Sequence, residues 1–351
     1  MKFGPDHTAI ILAFESNLIY LMKIWFPTIR TNTGSDIYVS NLVSGLVKRG
    51  IEAEITWFPH KYELFPNLLK RAKLPERTNL IHANSWSGFA FYNPGIPLVI
   101  SVLHWVHDTL FQPYKSFLQT LYHKNFIYKF ESKSINSASA VVAISEYTAG
   151  QIRNAFPGLK VHKIKTGIDS SLFIPDPGRR IRDNIFRLLF VGKPSRRKGF
   201  DILRNIMQQL DDNYLLYYTD GDLGNLGNIK YIGKQPLENL VNMYQCCDAL
   251  LFPSRYEGFG YAVAEAMAYG TPVITSDVSA LSELVIHNKT GMLCPVDDVS
   301  KFVDAIKYLA ENKEFAVKMG KASRQKILDE FTLEVMTEEY IKLYESLCCY
   351  G

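Results

Sequence analysis

The chain has 351 residues, of which 47% are hydrophobic and 21% are charged, and its formal net charge is +4. This composition is typical of a folded protein long enough for two domains, and it excludes a disordered or fibrous chain. The basic excess is too small to indicate nucleic acid. No nucleic-acid-binding motif accompanies it, so we expect no such partner.

The five cysteines favour a reducing compartment. Their spacing contains no C-x2-C pair and no histidines at zinc-site distances, so no zinc site is predicted. An odd total with two adjacent pairs is a poor basis for a set of disulfides. We therefore expect a cytoplasmic protein. The cysteines are Cys246, Cys247, Cys294, Cys348 and Cys349.

Residues 1–21 are hard to assign. Their apolar stretch, Ala9 to Phe14, is too short to span a membrane and is flanked by Asp6 and Glu15. No small-residue cleavage site follows, which argues against a signal peptide. Met22 then opens M-K-I-W-F-P, which reads as a first strand. Residues 1–21 are either an upstream extension or an extra strand or helix of the first domain.

Short apolar runs alternate with helical patterns through both halves of the chain, which predicts two parallel sheets of an α/β protein. In the first half the strands are predicted near 23–27, 52–57, 79–83, 97–103, 140–144 and 161–165. In the second half they are predicted near 187–192, 213–218, 229–232, 248–252, 272–275 and 291–293.

Two prolines, a glycine and paired arginines interrupt this pattern at 171–186, which we interpret as an interdomain linker. The predicted domains are 1–170 and 187–330. The remainder, 331–351, contains an amphipathic helix at 332–347.

Two segments of the first domain are candidates for ligand contact. The turn T-N-T-G-S-D (31–36) leads into a helix at 36–49, so the amides of Gly34 and Ser35 could hold an anion or a sugar hydroxyl, although a plain turn fits equally. The strand at 97–103 ends in His104, His107 and Asp108, at the sheet edge where α/β folds bind ligands. A structural histidine is the alternative for each.

Residues 111–133 are dense in phenylalanine, tyrosine and lysine. Aromatic rings with lysines reaching outward suit a membrane interface or a lipid-linked acceptor. A pair of buried aromatic helices explains the same composition.

The second domain opens with F-V-G-K-P-S-R-R-K-G-F (190–200), a strand followed by a basic loop. Fixed cations at this place would stabilise the charge of a departing diphosphate. Lys193 and Lys198 are the candidates for that role, and we expect Arg196 and Arg197 to be exposed. A solvated basic loop is the alternative.

Asp220-Gly221-Asp222 has the D-x-D form that binds divalent metal in some nucleotide-sugar enzymes. It also follows a predicted strand, where such residues make a turn. We favour the turn and predict no metal site.

The most informative segment reads F-P-S-R-Y-E-G-F-G-Y-A-V-A-E-A-M-A-Y-G (252–270), a strand, a glycine loop and a helix. Eight residues of helix would place Glu257 and Glu265 about 12 Å apart on one face. Taken without its surroundings, a pair of glutamates at this spacing is explained by two solvent-exposed side chains. Here, however, Gly258 and Gly260 also allow backbone amides to approach a ligand.

This segment, with its continuation to Asp298, resembles the donor site of retaining GT-B-type glycosyltransferases of the large family numbered four. The resemblance covers about 22–347. It implies two Rossmann-like domains that face each other across a cleft, with the last helix packed back on the first domain.

The resemblance also implies roles for individual residues. Glu257 would contact the transferred sugar and Glu265 the ribose, while Lys193 and Lys198 would hold the diphosphate. His104 would face the sugar, whereas His82 has a weaker claim. The remaining implied residues are Gly258, Phe259, Gly260 and Gly34 for the donor, and Ser35, His107 and Asp108 for the acceptor.

The sequence thus predicts a retaining hexosyltransferase that uses a UDP- or GDP-sugar without a further cofactor. The expected acceptor is a glycan or lipid-linked precursor of a bacterial-type polysaccharide or lipopolysaccharide, at the inner face of the membrane. A GT-B-fold sugar-nucleotide epimerase and a non-catalytic scaffold of a glycan-assembly complex are the alternatives.

Overall fold

The computed structural model describes residues 22–175, 183–224 and 227–348. The questions raised by residues 1–21, by residues 176–182 of the predicted linker and by the last three residues therefore lie outside the described chain. Twelve strands form two six-stranded sheets, and every strand pair in both sheets is parallel.

The first sheet has the strand order β2-β1-β3-β4-β5-β6. Its central strand, β4, is buried at every residue because helical layers cover both faces of the sheet. The strands are β1 (Lys23–Ile29), β2 (Glu52–Phe58), β3 (Leu80–Asn84), β4 (Leu98–Val102), β5 (Ala140–Ala143) and β6 (Val161–Lys163).

The second sheet has the order β12-β11-β10-β7-β8-β9. Its strands are β7 (Phe186–Phe190), β8 (Tyr214–Tyr218), β9 (Ile229–Tyr231), β10 (Ala249–Phe252), β11 (Val273–Ser276) and β12 (Met292–Cys294). All twelve observed strands match the predicted positions to within a few residues. The predicted α/β architecture is confirmed.

Eleven α-helices connect the strands in the described residues. They are α1 (Gly34–Lys48), α2 (Phe117–Tyr122), α3 (Tyr128–Ser137), α4 (Glu146–Ala155), α5 (Phe200–Met207), α6 (Leu237–Cys246), α7 (Tyr261–Tyr269), α8 (Leu281–Leu284), α9 (Val299–Glu311), α10 (Lys313–Glu330) and α11 (Leu333–Cys348). No described helix is long and apolar enough to cross a membrane.

The chain returns to the first domain just before α11. Ile168 pairs with Thr332 in an isolated parallel bridge, and the Ile168 backbone bonds to Phe331 and Leu333 at 2.9 and 3.0 Å. From this bridge α11 lies along α1, where Arg49 and Glu338 form an ion pair of 3.0 Å. The two domains are thus joined at this bridge as well as by the linker.

A buried polar network fastens α11 to the first sheet. The Tyr344 hydroxyl lies 2.6 Å from His82 Nδ1, and the Tyr340 hydroxyl lies 3.0 Å from Ser101 Oγ and bonds to the Tyr38 hydroxyl. Ser101 Oγ also lies 2.6 Å from His82 Nε2. Since both ring nitrogens are engaged, His82 is a structural histidine. Burial lowers its pKa to about 3, so the ring is neutral at physiological pH.

The bridge between the domains supplies a stability test. A β-carbon on Gly167 would lie 2.3 Å from the Thr332 carbonyl oxygen, and backbone there cannot move aside easily. We expect Gly167→Ala to lower the free energy of unfolding by about 1–3 kcal/mol through overpacking. Gly150, inside α4, has nothing within 4 Å of the same position. Gly150→Ala should raise stability by up to about 1 kcal/mol through helix propensity. Urea unfolding of both variants checks the opposite signs.

Candidate functional site in the interdomain cleft

The site is built at the carboxyl end of β10, where Pro253 ends the strand. The loop that follows reaches Gly260, whose φ of 103° is favourable only for glycine, and α7 begins at Tyr261. Glu257 therefore lies in the loop and Glu265 on the helix. The helical arithmetic that placed both glutamates on one helical face was wrong, because the intervening glycines break the helix before it reaches Glu257.

The Glu257 carboxylate is buried within a set of donors. Its Oε1 atom accepts from Lys198 Nζ at 2.5 Å, from Arg197 Nη1 at 3.1 Å and from Ser254 Oγ at 2.8 Å. Its backbone N–H donates to Ser279 Oγ at 2.9 Å. A carboxylate that is only 7% exposed is thus paired with two cations from a single loop.

The pKa values of this cluster follow from its partners. Burial by itself would raise the pKa of Glu257, but Lys198 and Arg197 outweigh it and lower the pKa to about 2. Burial lowers the pKa of Lys198, and Glu257 partly offsets that effect. Glu257 is therefore ionised across the physiological range.

The basic loop places its cations through one glycine. Gly199 has a φ of 68°, and a β-carbon there would lie 1.9 Å from the Pro253 carbonyl oxygen. Since only glycine fits, the loop presses against the end of β10 and brings Lys198 to Glu257. Ser195 Oγ accepts from the Lys198 backbone N–H at 3.2 Å and fixes the turn.

The structure corrects the expected roles within this loop. Arg197, expected to be exposed, is half-buried, and it donates to the Tyr256 carbonyl at 2.7 Å as well as to Glu257. Lys193, assigned to the diphosphate, is exposed, as is Arg196. Sequence reasoning missed Arg197 because a run of three cations does not show which side chain points inward.

Glu265 lies one turn into α7 and accepts from the Tyr244 hydroxyl at 2.8 Å. Burial raises the pKa of Glu265 to about 7. The neighbouring Tyr261 has a buried hydroxyl without a hydrogen-bond partner. Its ring lies 3.3 Å from where a Gly34 β-carbon would be, so Gly34 permits close approach of the two domains.

The loop before α1 is held by hydrogen bonds among its own residues. Asp36 accepts from the backbone N–H groups of Thr31 and Asn32 at 3.0 and 2.8 Å. The Thr33 hydroxyl accepts from the Ser35 N–H at a long 3.4 Å. Gly34 and the half-buried Ser35 therefore lie at the cleft, beside Tyr261 of the opposite domain.

His104 meets the donor loop across the cleft. A β-carbon on Gly258 would lie 2.1 Å from the Leu103 carbonyl oxygen and 3.1 Å from His104 Cβ. Burial and the nearby Arg197 lower the pKa of His104 to about 4, so its ring is neutral at physiological pH. Sequence spacing alone does not give this juxtaposition, which joins the two predicted halves of the site.

His107 and Asp108 are engaged by partners within the first domain. His107 Nε2 lies 3.1 Å from the fully buried Glu131, which also accepts from Ser85 at 2.8 Å. Asp108 accepts from the Tyr147 hydroxyl at 2.5 Å. Glu131 and Tyr147 thus hold two of the predicted acceptor residues in place, and the sequence analysis singled out neither of them.

Phe259 is buried in the core rather than open to the cleft. Its ring centroid lies 5.1 Å from that of Tyr261 and 6.0 Å from that of Phe331. Gly260 has a packing role as well, since a β-carbon there would lie 2.8 Å from Leu281. The side chain of Phe259 is therefore not placed to touch a ligand.

The D-x-D sequence forms a turn. Asp220 accepts from the Gly221 N–H at 2.9 Å, and Asp222 accepts from the Gly224 N–H at 2.7 Å. Asp220 also lies 3.6 Å from Lys234. Across the described part of the chain, no three histidine, cysteine or carboxylate side chains are grouped closely enough to hold a metal ion.

Two family models match adjoining parts of the chain. The model described as "Glycosyltransferase Family 4" matches residues 54–172, and that described as "Glycosyl transferases group 1" matches residues 177–326. Together they span most of both sheets. The chain belongs to the GT-B glycosyltransferases of the family 4 type.

Curated and solved relatives agree with this family. A glycogen synthase of Mycobacterium tuberculosis is 24% identical over 76% of this chain and 69% of its own length. The fold resembles that of a sucrose-phosphate synthase from Thermosynechococcus elongatus, with a TM-score of 0.81, 21% identity and coverage of 94% and 100% of the two chains. The fold also resembles that of Anabaena HepE, solved in complex with UDP-glucose. The TM-score is 0.73, the identity is 18%, and the match covers 93% of this chain and 100% of that one.

The depressed pKa of Glu257 predicts a pH-dependent contribution to stability. Because its folded pKa is below its unfolded value, the stabilisation is present above the unfolded pKa, near 4.5, and is lost as pH falls toward 2. Glu257→Gln removes the titration. The stability gap between wild type and this variant should therefore narrow by about 2 kcal/mol from about pH 7 to about pH 3.

Urea unfolding at several pH values measures this gap. A constant gap for Glu257→Gln would contradict the assigned ion pairs.

Proposed function

We propose that this chain transfers a hexose from a nucleoside-diphosphate sugar, with retention of the anomeric configuration, to a glycan or lipid-linked acceptor. The observation that carries the proposal is the buried Glu257, which holds Lys198 and Arg197 at the carboxyl edge of β10, under the Gly258–His104 contact. This places two cations and a carboxylate at the mouth of the interdomain cleft.

In the proposed complex the donor lies along the loop and α7. Glu265 accepts the ribose hydroxyls, and Glu257 accepts hydroxyls of the transferred sugar. The diphosphate then binds Lys198 and Arg197, which give up part of their ion pairing with Glu257. Cations already held in a buried site stabilise developing charge without reorganisation, which is the efficient arrangement for catalysis.

In the proposed step, the bond between the anomeric carbon and the diphosphate oxygen breaks while the acceptor oxygen bonds to that carbon on the same face. The acceptor proton passes to the departing diphosphate oxygen. Lys198 and Arg197 stabilise the charge left on the diphosphate. The neutral His104 can donate one hydrogen bond to the sugar while it accepts another.

On the acceptor side, Ser35 and His107 provide polar groups at the cleft. Asp108 acts through Tyr147, with which it shares a hydrogen bond, and is a positioning residue. The M. tuberculosis relative, by its name, extends a glucan, which supports a glycan acceptor. We extend this proposal to bacterial-type polysaccharide or lipopolysaccharide synthesis.

We propose that the donor is a UDP- or GDP-sugar and that no metal is required. HepE, solved with UDP-glucose, supports a nucleotide-sugar donor. Lys198 and Arg197 supply the charge that a divalent ion would otherwise bring, while Asp220 and Asp222 bond to backbone amides of their own turn. The free thiols of Cys246, Cys247 and Cys294 favour a reducing cytoplasmic setting.

The decisive experiment offers UDP-glucose, UDP-galactose and GDP-mannose, with and without an oligosaccharide acceptor, in the presence of EDTA. Acceptor-dependent release of nucleoside diphosphate supports the proposal, and NMR of the product should show the anomer of the donor. An inverted product contradicts retention. Epimerised sugar released without acceptor indicates an epimerase, and donor binding without turnover indicates a scaffold. Activity that EDTA abolishes would make Asp220 and Asp222 candidate ligands.

The cations of the basic loop should differ in their effect on turnover. Lys198→Ala is expected to lower kcat by at least about a hundredfold, because the leaving group loses its closest cation. Arg197→Ala should cost about tenfold or more for the same reason. Arg196→Ala is the control within the same loop and should stay near wild type, since its side chain is exposed.

Lys193→Ala, measured in the same steady-state assay, tests the original assignment. We expect it to lose less activity than Arg197→Ala, because Lys193 is exposed and Arg197 contacts Glu257. The reverse order would return the second diphosphate contact to Lys193.

A further inference from the structure

Large apolar side chains are exposed on and around α2, on the outer side of the first domain. Phe117 and Leu118 are each 75% exposed, and Leu121 and Phe126 are also exposed. The alternative of a buried aromatic helix pair is therefore wrong for this segment. Ile127 and Phe130, which follow it, do turn inward to the core. The segment is thus anchored by the residues that follow α2, while α2 itself has no buried residue.

A second segment extends the same surface. A 3-10 helix (Pro66–Arg71) buries Pro66 and Leu69 but exposes Leu68, and Leu64 and Phe65 before it are exposed as well. This segment is next to α2, as the Tyr122 hydroxyl donates to the Glu63 carbonyl at 2.8 Å.

The two segments also meet at the Phe89 ring. Lys70 of the 3-10 helix and Lys133 of α3 lie 5.9 and 5.8 Å from its centroid. Their exposed apolar residues thus form one surface. We call it the aromatic–basic surface, made of Leu64, Phe65, Leu68, Phe117, Leu118, Leu121 and Phe126.

Cations surround this surface. Residues 60–74 and 109–133 together contain eight lysines and arginines against two glutamates, a formal charge of +6, whereas the whole chain carries only +4. One of the two acids, Glu131, is fully buried beneath the surface. The exposed cations are Lys61, Lys70, Arg71, Lys73, Lys124, Lys129 and Lys133. The rest of the molecule therefore has a net negative charge.

We propose that the aromatic–basic surface lies on a bilayer that contains anionic lipids. Phenylalanine and leucine side chains insert at the level of the headgroups, while the lysine stems lie alongside and carry their charge to lipid phosphates. Charge complementarity favours a lipid occupant over a second copy of this chain, because two such surfaces would repel each other.

The surface adjoins the candidate site through the first residues of its own segment. Phe111 stacks on Tyr256 of the donor loop with centroids 5.1 Å apart, and its ring lies 6.1 Å from that of His104. Only about six residues separate Phe111 from Phe117 in the chain. If the proposed transferase function holds, an acceptor anchored in the same bilayer is presented to the cleft beside His104.

The test is co-flotation with vesicles, measured without any catalytic readout, so that its failure is distinct from failure of the proposed reaction. Wild-type protein should float with vesicles of equal parts phosphatidylglycerol and phosphatidylcholine and not with phosphatidylcholine alone. Phe117→Ser/Leu118→Ser should weaken binding at least about tenfold, because the two most exposed apolar side chains of the surface are lost. Both side chains are largely exposed, so the fold should persist, and circular dichroism checks this.

The matched apolar control is Val47→Ser/Ile174→Ser. These side chains are 55% and 67% exposed, and Val47 lies on α1, which covers the opposite face of the first sheet. The double variant should bind like wild type.

Charge reversals test the electrostatic contribution to vesicle binding on its own. Lys124→Glu/Lys129→Glu should reduce binding at least about tenfold at low salt, since each basic residue near an anionic surface contributes about 1 kcal/mol. Lys307→Glu/Lys318→Glu makes the same charge change on α9 and α10 of the second domain and should bind like wild type.

Two results would overturn the proposal. One is wild-type protein that does not float with the anionic vesicles, and the other is equal loss of binding in the test and control pairs. A concentration-dependent dimer in sedimentation experiments, abolished by Phe117→Ser/Leu118→Ser with no vesicle binding, would assign the surface to a second copy instead.

Discussion

The arrangement of the site depends on one buried ionic cluster. An ionised carboxylate that is nearly excluded from water is stable only when cations and hydrogen-bond donors surround it. Glu257 receives two cations from the basic loop and a hydroxyl from Ser254. Because the cations come from the end of β7 and the carboxylate from the end of β10, this cluster ties together the loops that follow two adjacent strands of the second sheet.

The loop after β10 also touches the first domain. Gly258 lies against Leu103 and His104, and the Tyr256 hydroxyl donates to the Trp105 carbonyl at 3.1 Å. Nearby, Glu283 of the second domain accepts from the N–H groups of Glu146 and Tyr147 at 2.8 and 2.6 Å. A carboxylate there caps the positive end of α4.

The first sheet is covered differently on its two faces. One face is closed by α1 and α11, whose tyrosines share buried hydrogen bonds with His82 and Ser101. The other face is covered by 3-10 turns and by α2 and α3, and there the outer side chains are left apolar and exposed. One face of the first sheet is thus closed by buried contacts. The layer on the other face carries the exposed apolar side chains that we propose contact a bilayer.

The sequence by itself determined the two parallel sheets, because runs such as Ala140–Ala143 and Ala249–Phe252 are apolar throughout and too short for buried helices. It also marked Glu257 and Lys198, through the resemblance of their segments to the donor site of the family. Only the tertiary structure decided which neighbouring cation turns inward, since Arg196 and Arg197 are chemically identical and the bonds of Arg197 to Tyr256 and Glu257 distinguish them. It alone paired Gly258 with His104, and it alone left Phe117 exposed while Phe259 was buried, because contacts between residues distant in sequence have no local periodicity to reveal them.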